Sequence, residues 1–185
     1  MAKMQPPVCE FGRPAIDFFL PDTNGVLQTV ESCRGNKGLL VMFLCNHCPY
    51  VKAIRDCLVR DTRELIDHGI GSVAIMSNDT IEYPEDSLEN MRSIAAQFDF
   101  PFPYLLDESQ QIAKAYGAVC TPDFFGYNQN LELQYRGRLD ASTIHAAQAD
   151  TRRELFEAMK QIARTGKGPE EQIASMGCSI KWKKA

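Results

Sequence analysis

Cys45-Asn46-His47-Cys48 sets two thiols three positions apart, where the apolar run Leu39-Leu40-Val41-Met42-Phe43-Leu44 meets the start of a predicted helix. A thiol at a helix N-terminus faces unpaired backbone N–H groups and the positive end of the helix dipole. Both favour thiolate over thiol, and the thiolate is the reactive nucleophile. His47, between the two, can lend a hydrogen bond or partial positive charge that lowers the Cys45 pKa and makes a disulfide more oxidising. The plainer alternative is a solvated first-turn histidine. The pattern points to redox chemistry at sulfur. Cys45, His47 and Cys48 also offer soft metal ligands, but no second close pair accompanies them, so no metal and no cofactor are expected.

Seven cysteines occur: Cys9, Cys33, Cys45, Cys48, Cys57, Cys120 and Cys178. An odd number without a recognisable signal peptide argues against a secreted disulfide framework and for a cytoplasmic protein. Cys120 stands two residues before Pro122, and Cys178 lies in a polar tail with Trp182 and several lysines. A buried structural thiol is expected for Cys120, and a packed or exposed tail residue for Cys178, since free cysteine is among the most buried residue types. The alternatives are a second disulfide through Cys120, or Cys178 folded over the pair as a third redox thiol.

The elements that must position the pair follow from periodicity. Short strands are predicted over 15–20 and 26–30, joined by the turn Pro21-Asp22-Thr23-Asn24-Gly25. Residues 38–44 are apolar on both faces, as in a central parallel strand. Val51, Ile54, Leu58 and Leu65 recur at helical spacing before the stop at Gly69. A strand over 71–76, a helix over 84–98, a strand over 102–106 and a short helix over 109–116 follow. A hairpin pairs 123–127 with 131–136, and an amphipathic helix spans 151–164. The order implies an α/β sandwich with a mixed central sheet. Sites in such sheets lie at the carboxyl ends of strands, where Cys45 and the loop Ser77-Asn78-Asp79-Thr80 both fall.

A length of 185 residues with 44% hydrophobic content suits one domain over 1–185, its core at about 10–165 and a tail at 166–185. The net charge of −4 with no long block of one sign argues against nucleic acid or a membrane surface as partner. No segment approaches the roughly 18 apolar residues of a membrane span.

Three segments carry a resemblance to the thioredoxin fold, and within it to the peroxiredoxin-like AhpC/TSA branch with an N-terminal β-hairpin extension. Phe18-Phe19-Leu20-Pro21-Asp22 with Gly25 is similar to that branch's opening strand and turn. The Cys45–Tyr50 segment stands at the place of its active site. Thr121-Pro122-Asp123-Phe124-Phe125 resembles the loop whose cis proline faces the redox cysteines. The resemblance implies a three-layer α/β/α sandwich, with Cys45 and Cys48 catalytic and His47, Thr121 and Pro122 beside the substrate. A cis bond before Pro122 would leave the Thr121 backbone free to pair with an extended substrate. Cys45, at the strand end and read as the more exposed, is expected to attack, with Cys48 resolving.

Three positions depart from the related families. Leu44 stands where thioredoxins have Trp, and residues 38–44 lack their buried Asp. With Cys48 aligned to the peroxidatic cysteine, Cys45 and Val41 occupy the Thr and Pro positions of the peroxiredoxin motif. The expected activity is thiol–disulfide exchange, on a protein or small-molecule disulfide or peroxide and with a thiol electron donor. The alternatives are a thiol-dependent antioxidant peroxidase, or metal or partner binding without turnover. Nothing in the sequence decides the oligomeric state.

Overall fold

A computed structural model describes residues 3–148 and 150–184; Met1 and Ala2 of the N-terminal stretch lie outside them. Strand β1 (Lys3–Met4) is followed by a short antiparallel pair, β2 (Leu20–Pro21) and β3 (Leu27–Gln28). This pair is the expected N-terminal hairpin, but shorter. Asp17 Oδ1 takes the N–H groups of Phe18 and Val30, which withdraws both from any ladder. Helix α1 (Val30–Cys33) then begins where a strand end was predicted, because Thr29 and Ser32 form a reciprocal capping box.

Strand β4 (Gly38–Phe43) is buried at every residue. Helix α2 (Pro49–Asp67), β5 (Ile70–Met76), a 3₁₀ turn (Pro84–Asp86), α3 (Leu88–Gln97) and β6 (Tyr104–Leu106) follow. The chain continues through α4 (Gln111–Tyr116), β7 (Cys120–Thr121), β8 (Asp123–Asn128), β9 (Leu133–Tyr135), α5 (Glu154–Thr165) and β10 (Gly177–Ser179). The predicted second hairpin strand starts two residues late, after Leu131 at φ +59°, and the β8–β9 register shifts at Gly126/Tyr127.

The central sheet has the order β6-β5-β4-β8-β9, with β4, β5 and β6 parallel and β8 and β9 antiparallel to their neighbours. Period-2 alternation on β4 sends Leu40 and Met42 into one apolar layer with α2 and α5, and Leu39, Val41 and Phe43 into the other with α1 and α4. Helices on both faces of a mixed sheet make the thioredoxin-like three-layer α/β/α sandwich. Full burial of such side chains contributes about 1.5–3 kcal/mol each. The effect is to hold the carboxyl end of β4 rigidly under the start of α2.

The segment 166–185, read as a polar tail, carries a strand instead. Strand β10 pairs antiparallel with both β1 and β7, making a second, three-stranded sheet. Ser175, Cys178 and Ile180 are buried, so the segment contributes to the core. Among the described residues no helix is long and apolar enough to cross a membrane.

Candidate functional site

Strand β4 ends at Phe43, and Leu44 and Cys45 carry the chain over its carboxyl end into α2. Cys48 is the N-cap of α2, in extended backbone (φ −62°, ψ 124°), with Pro49 in the first helical position. Proline suits that place because its missing N–H would be unpaired there anyway. Cys45 is 2% exposed and Cys48 0%, so both thiols are buried and exposure does not single out Cys45 as the attacking one. Thr121 of β7 lies against both thiols, and β10 brings Cys178 beside Cys48.

Thr121 meets both thiols. Its hydroxyl lies 3.2 Å from Cys45 Sγ, and its carbonyl accepts from Cys48 Sγ at 3.1 Å. The Thr121–Pro122 peptide is cis. On the other side of Thr121, β10 continues the pairing, with Cys178 opposite Thr121 and Ser179 opposite Cys120. Cys178 lies in the same apolar cluster as Cys48, close enough for the two thiols to shift each other's ionisation. Three thiols therefore meet at one place, with Cys48 in the middle. Cys120 points elsewhere: its thiol faces the Pro122 carbonyl at 3.5 Å, and burial pushes its pKa up, as for an inert structural cysteine.

The three thiols do not share charge equally. Hydrogen bonding from Cys45 pulls Cys48 down to about 5, against the opposing effect of burial, with help from Cys178 and the Val51 N–H. The Cys48 sulfur closes no formal cap hydrogen bond, but the first turn of α2 still presents its N–H groups to it. The Thr121 carbonyl opposes ionisation, since it can only accept. The favourable contacts outweigh burial and place the negative charge on Cys48. Cys45 moves well up, first because it is the donor to Cys48, then through burial and the Asp86 charge. Burial and the Cys48 contact push Cys178 up to about 12.

His47 is fixed from below by a residue that sequence reasoning left unassigned. Asp86, 0% exposed at the end of the 3₁₀ turn, faces His47 Nδ1 at 2.8 Å through Oδ2 and accepts the Asn46 N–H at 2.7 Å through Oδ1. Asn78 Nδ2 donates to the same carboxylate at 2.7 Å, so the loop after β5 does reach the site. Burial alone would push Asp86 up, but these hydrogen bonds outweigh it and leave its pKa below the ordinary value. The hydrogen bond to Asp86 in turn raises the His47 pKa. The ring stacks on Tyr83 at 5.6 Å, nearly parallel. Asn46 is held by four partners, adding Glu85 O, Tyr104 Oη and Arg55 Nη2 to Asp86. The turn between the cysteines is thus immobilised at each residue. Nothing in the sequence marks Asp86, because acids in a predicted first helical turn are ordinary.

Ligating atoms of Cys45, His47 and Asp86 lie within 4.8 Å of one another, the one such trio among the described residues. Oδ2 of Asp86 already meets His47 Nδ1 and Asn78 Nδ2, so an ion bound through His47 Nδ1 would break the His47–Asp86 hydrogen bond. Beside His47 opens a cleft of about 380 Å³, lined by Lys52, Arg55 and Glu85 among others. A larger cleft of about 880 Å³, lined by Asn36, His68 and Lys160, contains no thiol. It stands at the amino ends of β4 and β5, away from the site.

A parallel-antiparallel sheet of this order, a cysteine pair at the mouth of a helix and a cis proline facing it define a thioredoxin-fold protein of redox type. Residues 11–142 match the AhpC/TSA family, and the chain belongs to that family. It is 40% identical to an uncharacterised conserved protein from Geobacillus kaustophilus, covering 100% of this chain and 98% of that one at a TM-score of 0.93. A hypothetical protein from Sinorhizobium meliloti 1021 is similar at 37% identity, 98% and 99% coverage and TM-score 0.92. A secreted Mycobacterium tuberculosis disulfide oxidoreductase homologous to Escherichia coli DsbE shares the fold at 17% identity, with 80% and 95% coverage and TM-score 0.58. No curated protein matches the chain.

Proposed function

We propose that the protein is a thiol–disulfide oxidoreductase in which Cys45 and Cys48 alternate between dithiol and disulfide. The observation that carries this reading is the cysteine pair at the start of α2, with both thiols meeting Thr121 beside the cis Pro122, the Cys45 Sγ at 3.2 Å from its hydroxyl and the Cys48 Sγ at 3.1 Å from its carbonyl. Cys48 is the nucleophile in this reading and Cys45 the resolving thiol, the reverse of the order expected from sequence. The Cys48 thiolate attacks a disulfide, one substrate sulfur leaves and takes a proton, and a mixed disulfide remains. Cys45 then loses its proton and attacks Cys48 Sγ, releasing the second substrate thiol. An external thiol donor reverses the sequence. A thiolate stabilised in the reduced state makes the disulfide a better oxidant. The midpoint of the pair is therefore expected above the roughly −270 mV of thioredoxin.

His47 and Thr121 flank the pair as positioning residues. The Thr121 hydroxyl can donate to Cys45 as its thiol is lost, and a charged His47 lowers the cost of negative sulfur nearby. The test is redox titration of the pair in glutathione buffers, with insulin reduction by wild type, Cys45→Ser and Cys48→Ser. Unchanged turnover in both variants rules the reading out.

A thiol peroxidase is the second reading, favoured by one observation: Cys48 combines helix N-cap, following proline and lowered pKa. Attack on a hydroperoxide would leave a sulfenic acid on Cys48, resolved by Cys45 with loss of water. Dimedone trapping after a stoichiometric peroxide pulse separates the readings. Trapping no faster than for a free thiol excludes the second.

A further inference from the structure

Cys48 has two thiol neighbours, and only one belongs to its own motif. Strand β10 brings the other across the edge of β7, in antiparallel register with Cys178 opposite Thr121. This is the edge that an extended disulfide substrate would pair with if it approached Thr121. The segment is held there closely. Gly177 passes so near Thr121 that an added Cβ would meet its carbonyl oxygen at 2.1 Å. Beyond the strand, the Lys181 N–H donates to Asn78 Oδ1 and the Lys181 carbonyl accepts from the Asp79 N–H, both at 2.8 Å. Gln110 adds a donor to the Lys181 carbonyl and an acceptor for the Lys183 N–H, also at 2.8 Å. Cys178 is 3% exposed and packs in the same apolar cluster as Cys45 and Cys48.

We propose that Cys178 is a third redox thiol of this site, presented by β10 in the manner of a bound substrate cysteine and able to form a disulfide with Cys48. Cys178 acts in this way only if the Cys45–Cys48 pair is itself the redox centre proposed above. The chemistry balances with an external disulfide as oxidant. The Cys48 thiolate attacks it, forming a Cys48 mixed disulfide and releasing one thiol. Cys178 gives up its proton and attacks Cys48 Sγ; the bond from Cys48 to the substrate sulfur breaks, and that sulfur takes the proton and leaves. Two protein thiols are oxidised and one external disulfide is reduced to two thiols. Loss of the negative charge on Cys48 at the first step removes one of the effects that hold the Cys178 proton in place. Exchange with Cys45 then moves the disulfide to Cys45–Cys48 without further oxidation, freeing Cys178.

The test uses the full chain with Cys45→Ser, oxidised by glutathione disulfide, digested under acid after blocking free thiols and mapped by mass spectrometry. The expected result is a Cys48–Cys178 linked peptide as the main state of Cys48, lost on unfolding before oxidation. Adding Cys178→Ala should leave Cys48 glutathionylated instead, with the mixed disulfide at least tenfold longer-lived. Glutathione retained on Cys48 with Cys178 free in Cys45→Ser overturns the proposal. If wild type meanwhile forms Cys45–Cys48, the oxidoreductase reading stands without it. If Cys48 enters no disulfide in either protein, both fail.

Discussion

His47 and Asp86, 39 positions apart in sequence, form a closed pair: Nδ1 to Oδ2 at 2.8 Å, with the carboxylate wholly buried. Because Asp86 also takes the N–H of Asn46, the same group fixes the main chain between the cysteines. His47 gains a partner on folding and its pKa rises, so its share of stability is complete below about 6.5 and lost as pH climbs through the raised value. Asp86 is depressed, so its share is present above about 3.9 and lost as pH falls through the lower value. The pair should hold the site best between those limits. Asp86→Asn keeps the shape but loses the charge. It should cost about 1–3 kcal/mol in urea unfolding at pH 5.5, and less above pH 8. Equal loss at both pH values would show that the His47 charge contributes nothing.

The division of charge between Cys48 and Cys45 predicts a reactivity profile. Alkylation of Cys48 by iodoacetamide, followed by peptide mapping, should rise with pH around a midpoint near 5. The largest cause is the hydrogen bond from Cys45, so Cys45→Ala should move the midpoint upward while Cys45→Ser, which still donates, holds it closer. A profile centred near the ordinary 8.5 of free cysteine would place the charge elsewhere.

Away from the thiols, Asp123 and Arg136 form a buried ion pair at 3.1 Å, 0% and 3% exposed. Asp123 Oδ1 and Arg136 Nε have no hydrogen-bond partner among the described residues, so neither charge is fully compensated. Burial pushes Asp123 up to about 6, despite the guanidinium. This is the reverse of the usual carboxylate: folding favours its protonated form, and stability from this group falls as pH rises from about 4 through 6. Arg136→Ala strands a buried carboxylate and should cost about 3–5 kcal/mol at pH 7. Asp123→Asn strands the Arg136 guanidinium in the same way and should cost a similar amount at pH 7, but it should flatten the pH dependence between 4 and 6, read by thermal denaturation. An unaltered pH dependence in Asp123→Asn would contradict this.

What the sequence made legible were the parts whose patterns are local. The all-apolar run at 38–44 became the central strand, and the Cys45–Cys48 spacing with Thr121-Pro122 led to thiols that meet Thr121 across the sheet. Asp86 was not legible as a site residue and Cys178 only as an alternative to a packed tail residue, since both reach the site through long-range contacts. Asp86 sits in a 3₁₀ turn 39 positions from His47, and Cys178 arrives through pairing with a two-residue strand. A strand as short as Gly177–Ser179 has no periodicity to detect; only its partners define it. The burial of both thiols was missed for the same reason, because what covers them is distant in sequence.

Gly177 offers a way to loosen that cover without touching any thiol. A methyl group there meets the Thr121 carbonyl oxygen at 2.1 Å and its carbon at 2.6 Å, both main-chain atoms of the adjoining strand. Neither can rotate aside, so Gly177→Ala must push β10 off β7. The clamps through Asn78 and Gln110 lie beyond the strand and should keep 181–183 docked. The penalty then falls on the β7–β10 pairing alone, at about 1–2 kcal/mol for a displaced short ladder. Local opening that exposes Cys48 becomes more frequent by the same free energy, since thiol modification under a closed cover reports the open population. Cys48 should react with a thiol reagent about 5- to 30-fold faster in Gly177→Ala than in wild type, with Tm lowered by a few degrees and Cys120 still protected. An unchanged rate at Cys48 would mean that reagent reaches it by another route, through the cleft beside His47, and that β10 does not gate the pair.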